Sequence, residues 1–246
     1  EPDWLSALLE GLESSADIAA ACSLLRLLDH PELINARGGG MTRLGYGLDH
    51  DFLLPYEGPP EVTGAPTVHE VLFPTAAAML IRREEFLSLG GFDRSFFMYH
   101  EDVDLGWRLW LLGRRVVVCE RSVVYHAFLG TSRAAKGLRW RALLGLRHNL
   151  RCLAKHYEAW NLLLAVRRLL IVPARQGAHL HLVHALAWNL VHMPGTLAAR
   201  FRLQKKRALS DAELFARGLI AREPIPPPTP ELPTVSQAAD MEHKVR

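Results

Sequence analysis

Three acidic side chains, Glu101, Asp102 and Asp104, crowd into four positions directly behind the run Phe96-Phe97-Met98-Tyr99-His100. Large apolar groups are poor neighbours for carboxylates unless the acids have a partner or a task. Two readings are open for Asp102: a helix N-terminal acid that only caps, or a general base, where a positioned carboxylate takes the proton of a hydroxyl as its oxygen attacks and contributes on the order of 10²–10⁴ in rate. From Val103 onward the apolar residues Val103, Trp107, Trp110 and Leu111 recur at i, i+4, i+7 and i+8, which predicts a helix. Gly113 stands where its C-terminal cap belongs. Glu101 and Asp102 then occupy the first helical turn, where the helix dipole favours negative charge and predicts ionised carboxylates at neutral pH. Asp104 lies one turn before Arg108 and reads as its structural partner. Glu101 has two readings: it orients an acceptor or Asp102, or it pairs with Arg108 or Arg82.

Other chemistry-bearing residues read less sharply. Asp93 follows Gly90-Gly91 and either stabilises a turn or shapes a binding loop. Phe96, Phe97 and Tyr99 either wall a ligand or pack in the core. His126 closes the β-branched run Ser122-Val123-Val124-Tyr125-His126, and strand ends are where α/β proteins place ligands. Asp49 and Asp51 lie in a Gly-rich stretch, where Asp more often serves turns than metals. His179, His181, His184 and His192 have no acid beside them and do not form a ligand set.

The scaffold around these groups is legible in the apolar pattern. Trp4–Leu12 reads as a helix and Ile18–Leu28 as a buried strand. Residues 35–66, rich in Gly and Pro, read as a long loop. Val68–Arg82 reads as a strand ending in Met79-Leu80-Ile81, and Arg83–Leu89 as a short helix stopped by Gly90-Gly91. Arg115–Val118 and Ser122–His126 read as two strands. Beyond them, Leu143, Leu146, Leu150, Leu153, Tyr157, Trp160 and Leu164 alternate at three and four, the pattern of one amphipathic helix. Leu162–Val172 is apolar and stopped by Pro173, and Ala178–Met193 is a further helix closed by Pro194-Gly195. Ser210-Asp211-Ala212-Glu213 has capping-box spacing. The expected organisation is a catalytic part over 1–135, a basic amphipathic helical region over 136–222, and a Pro-rich disordered tail over 223–246.

Composition bounds the class. The 246 residues are 49% hydrophobic and 22% charged, a globular balance, with a net charge of +3. The basic residues concentrate between Arg133 and Arg207, which suits an anionic membrane surface, the alternative being packing against the catalytic part or self-association. Nucleic acid is not expected, because aromatics do not interleave with the basic residues on a strand-like platform. Cys22, Cys119 and Cys152 are widely spaced and form neither a disulfide framework nor a zinc set.

The ordered set Ala77-Ala78-Met79-Leu80-Ile81-Arg82-Arg83-Glu84-Glu85-Phe86, then Gly90-Gly91-Phe92-Asp93, then Phe96 to Arg108, Gly113 and Val124-Tyr125-His126 resembles the second half of a family 2 glycosyltransferase. It looks most like the bacterial rhamnosyltransferase and galactofuranosyltransferase-like members, over roughly residues 1–150. The resemblance implies an α/β, GT-A (Rossmann-like) fold and inverting transfer of a sugar. The donor would be a nucleotide-diphosphate sugar, with Mn²⁺ or Mg²⁺ on its diphosphate. The acceptor would be a glycan or a polyprenyl-linked glycan in cell-wall or polysaccharide synthesis. It casts Asp102 as the base, Glu101 as its acidic partner and His126 as a metal ligand. Asp93, Tyr99 and Thr75 fall on the acceptor side. The implied place of work is cytoplasmic, peripheral to the inner face of the cell membrane. The segment Glu1-Pro2-Asp3-Trp4-Leu5 resembles the stretch just after the family's Asp-x-Asp motif, so the expectation is a chain lacking the N-terminal nucleotide-binding half. The alternative is a catalytically incomplete, membrane-associated interaction module. Phe73-Pro74-Thr75-Ala76 departs from relatives that carry glycine there, which bears on the shape of the acceptor pocket.

Overall fold

The computed structural model describes residues 1–58, 67–127, 137–175 and 179–221. At its centre, strand β1 (Ile18–Leu27) runs parallel to β7 (Arg115–His126). Strand β1 is a nearly continuous apolar run, and β7 carries the buried run Val116-Val117-Val118-Cys119, because both faces are covered there. Helix α1 (Trp4–Glu13) covers one face: Leu8 and Leu12 pack on Ile18, Ala21, Val117 and Cys119. The alternate side chains Ala20, Cys22, Val116 and Val118 point the other way, into the main core with Trp107 and Trp110. Strands β2 (Ile34–Ala36) and β6 (Met79–Ile81) pair antiparallel with successive stretches of the free edge of β1. Strand β5 (Val68–Glu70) pairs antiparallel with the far edge of β7. A smaller sheet sets β3 (Gly39–Thr42) between β4 (Gly47–Asp49) and the two-residue β8 (Ile220–Ala221).

Helices complete the layers: α2 (Arg83–Ser88), α3 (Glu101–Leu111), α4 (Gly137–His156), α5 (Ala159–Arg175), α6 (His179–Lys205) and α7 (Asp211–Ala216). This is the α/β class expected, with the arrangement of a GT-A-like domain. Helix α3 lies directly on the chain at Leu72-Phe73. A Cβ on Gly106 would stand 2.4 Å from the Leu72 carbonyl oxygen, so only glycine permits this approach. Trp110 Nε1 donates to the Val71 carbonyl at 2.8 Å and fixes the same seam. Gly113 ends the helix with φ +75°, and the Arg114 N–H returns to the Leu109 carbonyl at 3.0 Å.

Several elements differ from the sequence pattern. The two strands expected over 115–126 are one, with an irregularity that shifts the register from Ser23↔Cys119 to Leu24↔Val123. The Gly-rich stretch holds β2, β3 and β4, while Val68–Arg82 yields two short strands joined by a turn. The expected single helix through Tyr157 breaks into α4 and α5. Arg200 donates to the carbonyls of Ala154 and Tyr157, Gln204 to those of Lys155 and His156, and Arg207 to that of His156. Residues distant in sequence thus cap α4, while Asp211 receives the N–H of Glu158 and the side chain of Asn161 at the start of α5. Helix α6 runs through Pro194 instead of stopping there. Arg151 of α4 binds the His192 carbonyl and the Thr196 hydroxyl on either side of the proline, so tertiary bonds override its helix-breaking tendency. The capping box at Ser210 forms with both bonds present. The boundary near 135 and the Pro-rich tail lie outside the described residues. Among the described residues, no helix is long and apolar enough to cross a membrane.

Candidate active site

The acidic rim begins in strained backbone. Tyr99 and His100 take φ of 65° and 73°, a left-handed pair that non-glycine residues adopt at a cost of about 1–3 kcal/mol each. Buried partners hold them there: His100 Nε2 meets the Gly45 carbonyl at 3.2 Å, and His148 Nδ1 meets the Tyr99 carbonyl at 2.9 Å. The turn swings Glu101 and Asp102 onto the first turn of α3.

Asp102 keeps a partly exposed surface, yet its carboxyl is closely enclosed by protein. Its Oδ1 accepts from the N–H of Val103 at 2.8 Å. Burial, the Glu101 charge and the more distant Asp49 push it up to about 7, against the pull of the Val103 and Ala76 amides. The helix dipole therefore does not keep this acid ionised through neutral pH as the sequence pattern suggested. An end-of-helix effect is worth only about 0.3–1 kcal/mol, and burial among other acids outweighs it. Glu101 is raised as well, by burial first, and its Oε2 has no protein partner. Neither of the expected arginines reaches it. Arg108 pairs with Asp104, and Arg82 donates to the carbonyls of Ile18 and Leu12.

Asp49 arrives through the small sheet. Gly39 pairs with Asp49 on β4 and bridges Phe73, whose ring lies where a Cβ on Gly39 would stand. That close approach carries Asp49 to the chain leading into Thr75-Ala76. Its carboxyl, accessible on one side but ringed by protein on the rest, is pushed up by burial to about 6. Thr75 adds a buried hydroxyl oxygen with no partner. Cys22 lies beside this group, but burial pushes its thiol up to about 12 and leaves it inert. Glu101, Asp102, Asp49 and Thr75 thus form a rim with hydrogen-bonding capacity unspent on the protein.

The remaining sequence candidates separate from that rim. Asp93 closes a turn on Ser95, whose N–H and hydroxyl donate to its Oδ1 at 3.0 and 2.7 Å. Its Oδ2 receives Lys155 at 2.8 Å and Arg151 at 3.1 Å. Burial pushes this carboxyl up, but Lys155 and the Ser95 bonds outweigh it and hold it well below the usual range. Phe96 is buried against His148, whereas Phe97 is 76% exposed at the loop tip. Tyr99 spends its carbonyl on His148. His126 meets Asn35 Oδ1 through Nδ1 at 2.6 Å, and burial lowers its pKa. With Nδ1 donating to that oxygen, Nε2 keeps its lone pair and fits one position on a divalent cation. The like charges that raise Asp102 most are those of Glu101 and then Asp49, while the His126 ring bonds Asn35. Asp104, Cys152 and His156 bring ligand atoms within 4.8 Å of one another, but this trio does not fit a metal. Lys155 already bonds Asp104 there, and every member is sealed from solvent.

With this geometry established, the comparisons with known proteins become specific. Residues 64–203 match the family model described as Glycosyl transferase family group 2, a span that holds Thr75, Asp93, Glu101, Asp102 and His126. The chain belongs to this family. Within glycosyl transferase family group 2, it is 32% identical over 136 residues to the O-antigen biosynthesis protein RfbC of Myxococcus xanthus. That match covers 54% of this chain and 10% of the relative. It is 41% identical over 69 residues to the N-acetylglucosaminyl-diphospho-decaprenol L-rhamnosyltransferase of Mycobacterium tuberculosis, covering 28% of this chain and 22% of the relative. The chain spans about a tenth and about a fifth of the lengths of these relatives. Reading the sequence alone missed the approach of Asp49 and the cations Lys155 and Arg151. Only the concentration of basic residues after Arg133 hinted at the latter.

Proposed function

We propose that this chain carries the acceptor side of an inverting glycosyltransferase. In this reading, Asp102 takes the proton of an acceptor hydroxyl, whose oxygen forms its bond to the anomeric carbon. The nucleotide diphosphate leaves from the opposite face with the bonding electron pair, and the configuration inverts. The observation that carries the reading is the state of Asp102: a carboxyl with its pKa near 7 beside a partnerless Thr75 hydroxyl and a partnerless Glu101 oxygen. A base poised near the working pH transfers protons most effectively. Glu101 and Thr75 hold the acceptor, and Tyr99 with the exposed Phe97 forms the mouth of the site. Asp93 serves the acceptor indirectly, by fixing the loop through Lys155 and Arg151.

The donor is a nucleotide-diphosphate sugar. A divalent cation, Mn²⁺ or Mg²⁺, would neutralise charge on its diphosphate when bound, with His126 the residue here suited to hold it. The acceptor is a glycan or a polyprenyl-linked glycan, a choice supported by the decaprenol in the name of one relative. A lipid-linked acceptor places the work at the cytoplasmic face of the cell membrane, with the protein peripheral to it. The test is Asp102→Asn in a preparation that turns over a nucleotide-sugar donor. Turnover is expected to fall by about 10²–10⁴-fold while donor binding, read by calorimetry, survives. Near-normal turnover would remove Asp102 from the chemistry.

A further inference from the structure

Helix α6 is apolar on two opposite faces, and among the described residues only one is covered. Ala185, Thr196 and Leu203 are buried on one side, where Arg151, Arg200 and Gln204 tie the helix to α4. The other side carries Leu180, Val183, Leu190, Val191, Leu197 and Phe201, each between 55% and 85% exposed. At 3.6 residues per turn these six fall within roughly 120° of the helix circumference, opposite the buried residues, and they span about 32 Å. A helix that is apolar all round is normally buried all round. This one is held by its inner face and leaves its outer face bare. Helix α5 continues the surface with exposed Trp160 and Leu163, and Ala159, Leu197 and Phe201, together with Glu158, Arg200 and Gln204, line one open groove of about 530 Å³ between the two helices.

The charge around this face identifies its complement. From Ala159 to Arg207 the sequence contains no Asp or Glu. Arg167 is exposed on α5, and Arg202, Lys205 and Lys206 are exposed where the α6 stripe ends. Among the described residues no helix suits a membrane span, so the stripe lies along a surface. Glu158 lines the inner end of the groove and spends its carboxylate on the Asp211 N–H, so the charge bordering the α6 stripe is mainly cationic, which suits the plane between acyl chains and anionic headgroups.

We propose that the outer face of α6, extended by α5, docks this protein on an anionic lipid surface, lying in the interface without crossing it. The proposal rests on the lipid-linked acceptor of the proposed function for its purpose, although the face itself is independent of any catalytic residue. Docking there also has a path to the rim. Arg151 touches Thr196 on the inner face of α6 and Asp93 in the loop that leads to Glu101 and Asp102, so the seated helix and the acidic rim share one framework.

The test is co-sedimentation of the purified protein with vesicles of phosphatidylcholine alone or mixed with phosphatidylglycerol. Binding is expected to be at least tenfold stronger on the anionic vesicles. Leu190→Asp with Leu197→Asp, both at exposed positions, is expected to reduce it at least tenfold with an unchanged thermal melt. Lys205→Glu with Lys206→Glu keeps the stripe intact and is expected to erase the preference for phosphatidylglycerol. Failure of the unaltered protein to bind anionic vesicles would overturn the proposal, as would a Leu190→Asp, Leu197→Asp variant that still binds them. A protein that ignores vesicles but sediments as a dimer, turned monomeric by those aspartates, assigns the face to a second copy and equally overturns it. Asp102→Asn is expected to bind vesicles normally, and the double aspartate variant to keep turnover of a water-soluble acceptor. Docking and catalysis can therefore fail separately.

Discussion

Asp102 and Asp104 stand two residues apart on α3 and live in opposite electrostatic worlds. Asp102 shares its surroundings with Glu101 and Asp49, and burial among acids raises its pKa to about 7. Asp104 is buried completely. Burial pushes it up too, but Lys155, Arg108 and His156 outweigh that push and hold it below the usual carboxylate range. The contrast arises from helix geometry. A step of two residues turns the side chain by roughly 200°. One acid faces the open rim, and the other faces α4, whose Lys155 bridges Asp104 to Asp93. The fold thus separates an acid whose pKa is raised, the proposed base, from an acid spent on rigidity, within a single helical turn.

Activity provides the largest test of this division. Asp102→Asn is expected to cost about 10²–10⁴ in turnover with little loss of folded protein. Asp104→Asn is expected to do the reverse. It leaves Lys155 and Arg108 short of a buried counter-charge, and removal of one partner from a buried ion pair costs about 3–5 kcal/mol. Urea unfolding checks the second and initial rates per folded molecule check the first. If Asp104→Asn left the urea midpoint in place, the buried network would not be what seats the loop.

The next largest effect concerns the seat of α3. Gly106→Ala forces a methyl against the Leu72 carbonyl and Phe73 Cα, with ideal contacts at 2.4 and 2.6 Å, both to backbone that cannot rotate aside. Overpacking of this kind costs about 1–3 kcal/mol. Because Asp102 rides on the same helix, turnover is expected to fall as well. A variant equal to the parent in both stability and rate would show that α3 has slack.

The legible and illegible parts of the molecule divide along sequence distance. The left-handed entry to α3 is held by the distant Gly45 and His148, whereas the Gly113 cap and the Ser210 capping box rest on neighbours within one or two turns, and the residue types alone specify them. The Asp104–Arg108 pair is equally local. Asp49 could not be read in its place, because its approach depends on Gly39 pairing with both Asp49 and Phe73, and a glycine-rich stretch leaves no side-chain alternation to set a register. Arg200, Gln204 and Arg207 end α4 from another helix, so its apolar repeat runs past the break without a local sign. The raised pKa of Asp102 is illegible in the sequence for the same reason. The helix dipole is local and visible in sequence, whereas the enclosure that outweighs it is tertiary.

A pH-dependent effect comes from linkage. The folded state holds the Asp102 proton up to about pH 7, while the unfolded chain releases it near the ordinary aspartate value of 3.8. Between those values the folded state binds more protons, so this group makes stability fall as pH rises through that window. Asp102→Asn removes the contribution. Its melting temperature is expected to decline less than the parent's between pH 4 and pH 7, as differential scanning calorimetry would show. Asp104 acts with the opposite sign, since its depressed folded value adds stability above pH 3.8 that is lost on further acidification.

The finest test sits in the acid limb of the rate profile. If ionised Asp102 is the base, the rate rises with pH and bends near 7, where the carboxyl loses its proton. Glu101 and Asp49 both raise that value by like charge, Glu101 more strongly. Asp49→Asn therefore moves the bend to lower pH by a small step, and the plateau rate above it stays close to the parent's. Glu101→Gln moves the bend further, with an added loss on the plateau from its contact with the acceptor. A bend that stays fixed in both variants would mean that a different group titrates. A bend that moves with Asp104→Asn instead would place the base on the wrong side of α3 and dissolve the contrast between the two acids.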